Sequence, residues 1–295
     1  MHILEIVIQL TISGLAIGAI YAFIALGYHI IFTTVKILNF AQGEIVMLGA
    51  LLGYTFHVLL GLPILLTFFL VGAVCSILGI VFHKVAVQPV LKAEGSLAWI
   101  ISTVAVAIVI RNMADSIWGS TPLPFPPLFS QTPIFFKGIG ITPQALFTFF
   151  VAMAIILSLA WFQTRTIIGK AIRAVAFDKT SAELVGINTR LIIILSFILS
   201  FSLSGTAGIL ISPMTFAYAQ IGLVLGIKGF AAVALGGLGS GVGALAGGLI
   251  IGLTETLASG LLWPGFHDTI ALMFLIGVLL LKPSGLFGKA IKERY

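Results

Sequence analysis

Nine long apolar runs, at about 6–31, 43–60, 62–82, 97–118, 143–162, 190–212, 217–237, 241–262 and 268–282, take up most of this chain. A helix that crosses a bilayer needs about 20 mainly apolar residues, and most of these runs reach that length. Only 8% of the residues are charged and 60% are hydrophobic, against about 25% charged in a soluble domain. Such a composition cannot cover a water-facing surface. The expectation is an all-α, polytopic helical membrane protein with eight or nine transmembrane segments, the shortest of them broken or re-entrant. The long runs and 33 glycines are unlike the short alternating strands of an outer-membrane barrel. No stretch reads as a soluble domain, so residues 1–295 form one transmembrane domain.

The net charge of +6 does not point to nucleic acid, because of where the basic residues fall. Lys84 and Lys92 share one hydrophilic loop. Arg165, Lys170, Arg173, Lys179 and Arg190 lie in the next loop but one, and Lys282, Lys289, Lys292 and Arg294 end the chain. The alternate connections are poor in Lys and Arg, apart from Lys137. Basic loops stay on the cytoplasmic side. The C-terminus is therefore expected inside and, over nine crossings, the N-terminus outside. The opening "MHILE" lacks a basic n-region, so no cleavable signal peptide is expected. Cys75 stands alone and excludes an internal disulfide.

Three connections are longer than turns. Residues 83–96 form a small cytoplasmic loop, and 119–142 an external loop whose prolines forbid a continuous helix. The third, 163–190, has structure of its own. Arg173 to Phe177 can continue a helix, Thr180 and Glu183 have capping-box spacing for a second short helix, and Gly186 can end it. Two readings fit: a helix–turn–helix that inserts into another protein's groove, or a basic loop lying on lipid headgroups.

Polar residues inside the apolar runs are few. In "VKILNFAQGEIVMLGA" (35–50), Asn39, Gln42 and Glu44 can satisfy broken backbone and Gly43 can supply a turn. Irregular backbone at membrane depth is tolerated only where protein or a hydrated cavity surrounds it. The stretch is therefore either a re-entrant turn at the inner mouth of a pathway or an amphipathic interfacial connection. Arg111 and Asp115, four apart, are expected to pair with each other. Glu255 has no local partner, and either lines a solute path or makes a helix contact with a neighbouring hydroxyl. Lys228, between Gly226 and Gly229, is expected at a helix break. Gly239, Gly243 and Gly247, with Gly248 and Gly252, repeat every four residues and are expected to let helices pack closely.

Enzyme signatures are absent. The chain has no GxxxxGK[ST] phosphate loop, no HExxH or other metal-ligand spacing, and no GxSxG nucleophile motif. A secondary transporter or channel remains as a reading of these residues. Glu44, Asp115 and Glu255 are a thin basis for a proton relay.

"ILNFAQGEIVMLGA" resembles the NFAHGE-type signature of the branched-chain amino-acid (LIV) permeases of ABC importers, with Gln42 where histidine is frequent. "RAVAFDKTSAELVGIN" resembles that family's cytoplasmic coupling loop. "GIKGFAAVALGGLGSGVGALAGGLIIGLTE" and "LLLKPSGLFG" also match its segments, in the same order. The likeness is closer to the LivH-type subunit than to the longer LivM-type. Of the general importer consensus EAAxxxG, only Ala182 and Gly186 fit. The resemblance implies a subunit of a bacterial-type inner membrane that pairs with a second homologous permease. Two ABC ATPases that bind ATP and Mg would dock inside, and a solute-binding protein outside. It places Arg173, Asp178, Thr180, Ala182, Glu183 and Gly186 at the ATPase contact. Solutes of such permeases include branched-chain and other amino acids, urea, short amides and aromatic acids.

Overall fold

The computed structural model describes residues 2–90, 97–130, 132–136, 139–282 and 284–288. Lys92, Lys137, Lys289, Lys292 and Arg294 lie outside the described residues. Eleven α-helices are named among those described: α1 (His2–Val35), α2 (Gln42–Gly53), α3 (Ile64–Phe82), α4 (Ala98–Trp118), α5 (Pro143–Arg165), α6 (Ile167–Phe177), α7 (Lys179–Leu184), α8 (Thr189–Thr215), α9 (Ile221–Gly236), α10 (Gly241–Leu261) and α11 (Phe266–Leu281). Both α2 and α3 run on into π-type turns, Tyr54–Leu59 and His83–Val87. The proline-rich loop between α4 and α5 holds a hairpin of β1 (Ile134–Phe136) and β2 (Ile139–Ile141), and Leu123 bridges to Ala217.

Six helices among the described residues are long and apolar enough to cross a membrane, and α9 and α11 are shorter apolar helices. Their outward faces agree with that reading. Leu65, Phe69, Ile77 and Val81 line one side of α3 and are all exposed, a stripe that water would not favour. The protein is thus an all-α, polytopic membrane protein.

Local chemistry sets several helix starts. The Thr166 hydroxyl accepts from Gly169 N–H ahead of α6, Asn188 from Leu191 ahead of α8, and Ser240 from Gly243 ahead of α10. At α7 the cap is Asp178, which accepts from Ser181 N–H, so the expected Thr180–Glu183 capping box does not form. Asp178 is extended (φ −153°), one residue before the helix, whereas Thr180 is already inside it. Glu183 accepts instead from the Thr189 hydroxyl at 2.6 Å. Gly186 (φ +84°) ends the pair, with Gly186 N–H bonded to Glu183 C=O and Ile187 N–H to Ala182 C=O.

The most extensive helix contact is between α1 and α10; α9 packs on both, and α8 on α1. Lipid supplies no hydrophobic drive between helices, so close packing of small residues has to hold them. A Cβ on Gly248 would run into the backbone of Ala22, and one on Gly252 into that of Gly18. Gly243 and Gly247 meet the backbone of α9 at Gly236 and Ala232. Gly239 differs: it lies in the turn before α10, where an added Cβ meets nothing within 4 Å. Replacing Gly248 with Leu is expected to separate α1 from α10 and cost at least the ~1–3 kcal/mol of an overpacked core. Gly239→Ala should leave the thermal unfolding of the detergent-purified protein unchanged, and a similar loss in both would contradict the assignment.

Candidate functional site

Two polar clusters lie inside the bundle. The first joins α1, α9, α10 and the start of α11. Lys228 Nζ is 2.8 Å from Glu255 Oε1, 2.7 Å from Asp268 Oδ1 and 3.2 Å from the Tyr21 hydroxyl. Tyr21 donates to the same Glu255 oxygen at 3.0 Å, and His267 Nδ1 stands 3.0 Å from it. Glu255, without a neighbour in sequence to pair with, thus has three partners from three other helices. Lys228 sits within the unbroken helix α9 and not at a break. Glu255, His267 and Asp268 are close enough to hold a cation, but the Lys228 ammonium already stands among their oxygens. The cluster is an ion network with Lys228 and Glu255 buried at its centre and His267 and Asp268 exposed at its rim.

The second cluster begins where α1 ends. Lys36 takes a left-handed conformation (φ +57°), and the chain turns through Ile37–Ala41 into α2. Asn39 Oδ1 accepts from Ala41 N–H at 3.0 Å, and its amide donates to Gln42 Oε1 at 3.1 Å. The Gln42 amide then donates to Ser200 and Ser204 of α8, at 2.9 and 2.5 Å. Gly43 does not make the turn; it lies in α2 pressed against Gly222 and Gly226 of α9, where a Cβ would meet backbone. The positive φ that a turn glycine would supply is carried by Lys36.

Glu44, next along α2, forms a salt bridge with Arg111 of α4. The expected Arg111–Asp115 pair is therefore not made. Asp115 accepts instead from the amide of Gln220, which precedes α9, at 3.3 Å to each oxygen. A pairing four residues apart on one helix gives way to two links between helices, because partners brought by folding leave no mark in local spacing.

The level of this cluster follows from α8. Ser200 and Ser204 are eleven and fifteen residues into that helix, about 16–22 Å from its N-terminal end. Gln42 and Glu44 thus begin α2 beside the middle of α8. The segment leading to them is covered by protein, since Ile37, Asn39 and Ala41 are buried.

Outside the membrane-crossing helices, α6 and α7 form a hairpin. Ile172, Val175 and Ala182 pack with Ile192 of α8 in a small core of their own. Phe177, Leu184 and Val185 are 92%, 83% and 76% exposed at its tip. Arg173 reaches back to Thr164 C=O at 3.4 Å, and Lys36 Nζ donates to Ala176 C=O at 3.2 Å. Hydrogen bonds from the Ser181 backbone, and then from its side chain, hold the Asp178 carboxyl below its ordinary value.

An apolar helical bundle with its charges paired inside defines a multi-pass membrane protein with no catalytic constellation among the described residues. Residues 10–281 match the family model described as the permease component of branched-chain amino acid transport systems. The chain is 31% identical to the high-affinity branched-chain amino acid transport system permease protein BraD of Pseudomonas aeruginosa, over 97% of each chain. It is 32% identical to LivH of Escherichia coli, again over 97% of each. A probable LivH of Methanocaldococcus jannaschii is 29% identical over 90% of this chain and 87% of its own. The chain belongs to the branched-chain amino acid permease family, and is a transport permease and not an enzyme.

Two outcomes test these clusters. Lys228→Met strands a buried carboxylate and is expected to destabilise the protein by about 3–5 kcal/mol, with Lys228→Met/Glu255→Leu recovering most of the loss in thermal unfolding. A carboxyl with a depressed value in the fold stabilises above its ordinary pKa and loses that effect as pH falls through the depressed one. Protection of the Ser181 amide against hydrogen exchange should therefore be full at neutral pH and fall in acid; an Asp178→Ala variant should lack it at both.

Proposed function

We propose that this chain is one of two homologous permease subunits of an ATP-driven importer that moves branched-chain or related amino acids by alternating access. The observation that carries the reading is the α6–α7 hairpin, a small self-packed unit outside the crossing helices whose tip exposes Phe177, Leu184 and Val185. Those residues suit a groove on a partner protein, and the basic residues around them support a cytoplasmic position for the hairpin. Arg173, Asp178, Thr180, Ala182, Glu183 and Gly186 belong to that contact: Ala182 and Gly186 set the shape of α7, while Asp178 caps it. Two ABC ATPases with their ATP and Mg would dock there. A solute-binding protein would deliver from the outside, and this chain needs no cofactor of its own.

The membrane is the bacterial-type inner membrane, with the C-terminus inside and the N-terminus outside. Counted with α2, α9 and α11, the six long helices make nine passages, of which α2 and α9 start within the bilayer. Asn39, Gln42, Gly43 and Glu44 line the inner approach to the passage, and Glu255 braces the bundle beside it. The glycines Gly243, Gly247, Gly248 and Gly252 hold the helices that frame it. Relatives whose names specify branched-chain amino acids cover 97% of the chain, which supports that substrate class over urea, amides or aromatic acids.

Gly186→Glu forces a side chain into a left-handed position at the hairpin's end. It is expected to lower ATP-driven uptake by about tenfold or more, the worth of ~1.4 kcal/mol of coupling, with the chain still present in the membrane. Normal uptake would remove the hairpin from the coupling path. Mild-detergent extraction followed by mass identification should recover a second permease and two ATPases. Recovery of this chain alone, still transporting without ATP, would make it a carrier or channel.

A further inference from the structure

α4 carries polar groups where a lipid-facing helix would not. At 100° per residue, Arg111, Asp115, Asn112 and Ser116 cover an arc of about 140°, beside a buried edge that includes Ala107 and Ala114. Asn112 and Ser116 are exposed. Asn112 donates to Ile108 C=O and Ser116 to Asn112 C=O, whereas the charges of Arg111 and Asp115 are costly in hydrocarbon and suit an arc that meets water or protein. Arg111 is seven residues from the end of α4, about 10 Å deep, and its side chain reaches Glu44 at the level of Gln42.

A third element converges there. With 16 residues, α9 spans only about 24 Å, less than the ~30 Å hydrocarbon core, so its N-terminus opens inside the membrane. The Glu44 carboxylate lies against Gly222 in its first turn, and Gln220 just ahead of it holds Asp115. The first N–H groups of a helix lack partners within it and favour negative charge. Two atoms of the ion pair, Glu44 Oε2 and Arg111 Nε, are buried with no hydrogen-bond partner among the described residues. The pair thus has one spare acceptor and one spare donor. In the Lys228–Glu255 cluster Glu255 Oε2 is likewise without a partner among the described residues, but there the ammonium already meets two carboxylates, whereas Arg111 meets one.

We propose that Glu44, Arg111, Asp115 and the N-terminus of α9 form the point in the passage that holds a zwitterionic solute, and that the Glu44–Arg111 pair closes it in the present conformation. This rests on the amino-acid importer reading. The solute's carboxylate takes Arg111 and the first turn of α9, while its ammonium takes Glu44 and Asp115. One ion pair is exchanged for two, so no charge is left bare at depth. Ile108, one turn below on α4, and Leu223 and Val224 on α9 are exposed beside the arc and suit an aliphatic side chain. A neutral amide or urea could not make this exchange.

The test uses the importer reconstituted in liposomes with its second permease, ATPases and binding protein, and radiolabelled leucine as probe. ATP-driven uptake by the unaltered complex decides the importer reading by itself. Arg111→Gln, Glu44→Gln and the double variant then decide the site. All three are expected to lose about tenfold or more in uptake, the worth of a charged hydrogen bond, while ATP hydrolysis stimulated by the binding protein persists. If the pair only braces α2 against α4, the two amides can replace it, and uptake restored in the double variant would overturn the proposal. A second measurement leaves the charges intact: Asn112→Cys and Ser116→Cys, each with Cys75→Ala, are treated with a charged, water-soluble methanethiosulfonate. Labelling that leucine suppresses is the expected result. Unreactive thiols, or labelling indifferent to leucine, would refute the site.

Discussion

The backbone-to-backbone approach of α1 and α10 is the constraint on which the rest of the bundle depends. Gly14 and Gly18 on one helix face Gly248 and Gly252 on the other, and an added Cβ at any of them would stand too near the opposite helix. In a medium as apolar as the side chains, contact of this kind replaces the hydrophobic drive that holds a soluble core. The Tyr21 hydroxyl of α1 comes to 3.0 Å from Glu255 of α10 across this pair, and α9 lies close enough for Lys228 to join them. Charges that would be prohibitive in lipid are thereby enclosed.

The two polar clusters differ in how many partners each charge has. Around Lys228 the amine meets two carboxylates and a phenol, with an imidazole alongside. Around Arg111 the pairing is tight but partial, and it links three helices that meet along one edge of the bundle. A network of several linked partners favours one arrangement of helices, whereas a single ion pair can be exchanged for another of similar worth. The first suits a brace and the second a gate.

Much of the fold was legible in the sequence because lipid imposes a simple rule on it: apolar runs of about 20 residues become helices. Within the described residues, the runs at 143–162 and 190–212 fall inside α5 and α8, and the run at 241–262 overruns α10 by one residue. The polar cluster at 36–44 also stood out, but its partners did not. Glu44 finds Arg111, 67 residues away, and Gln42 finds serines more than 150 residues away. Such pairings are set by which helices become neighbours, and periodicity carries no record of that. The local errors have local causes. Asp178 outcompetes Thr180 as a cap because it stands one residue before the first helical turn, and Gly43 is needed for its missing side chain and not for a left-handed turn.

Lys36 has a mechanical consequence. Its amine grips the C-terminal end of α6 through Ala176 C=O, while its backbone starts the segment that leads to α2. Only five residues, Ile37 to Ala41, separate it from Gln42, at most about 17 Å of fully extended chain. Three of the five are wedged inside the protein. A tether so short and so confined has little slack, so a displacement of the α6–α7 hairpin of a few ångströms would be felt as tension at the foot of α2, where Glu44 stands.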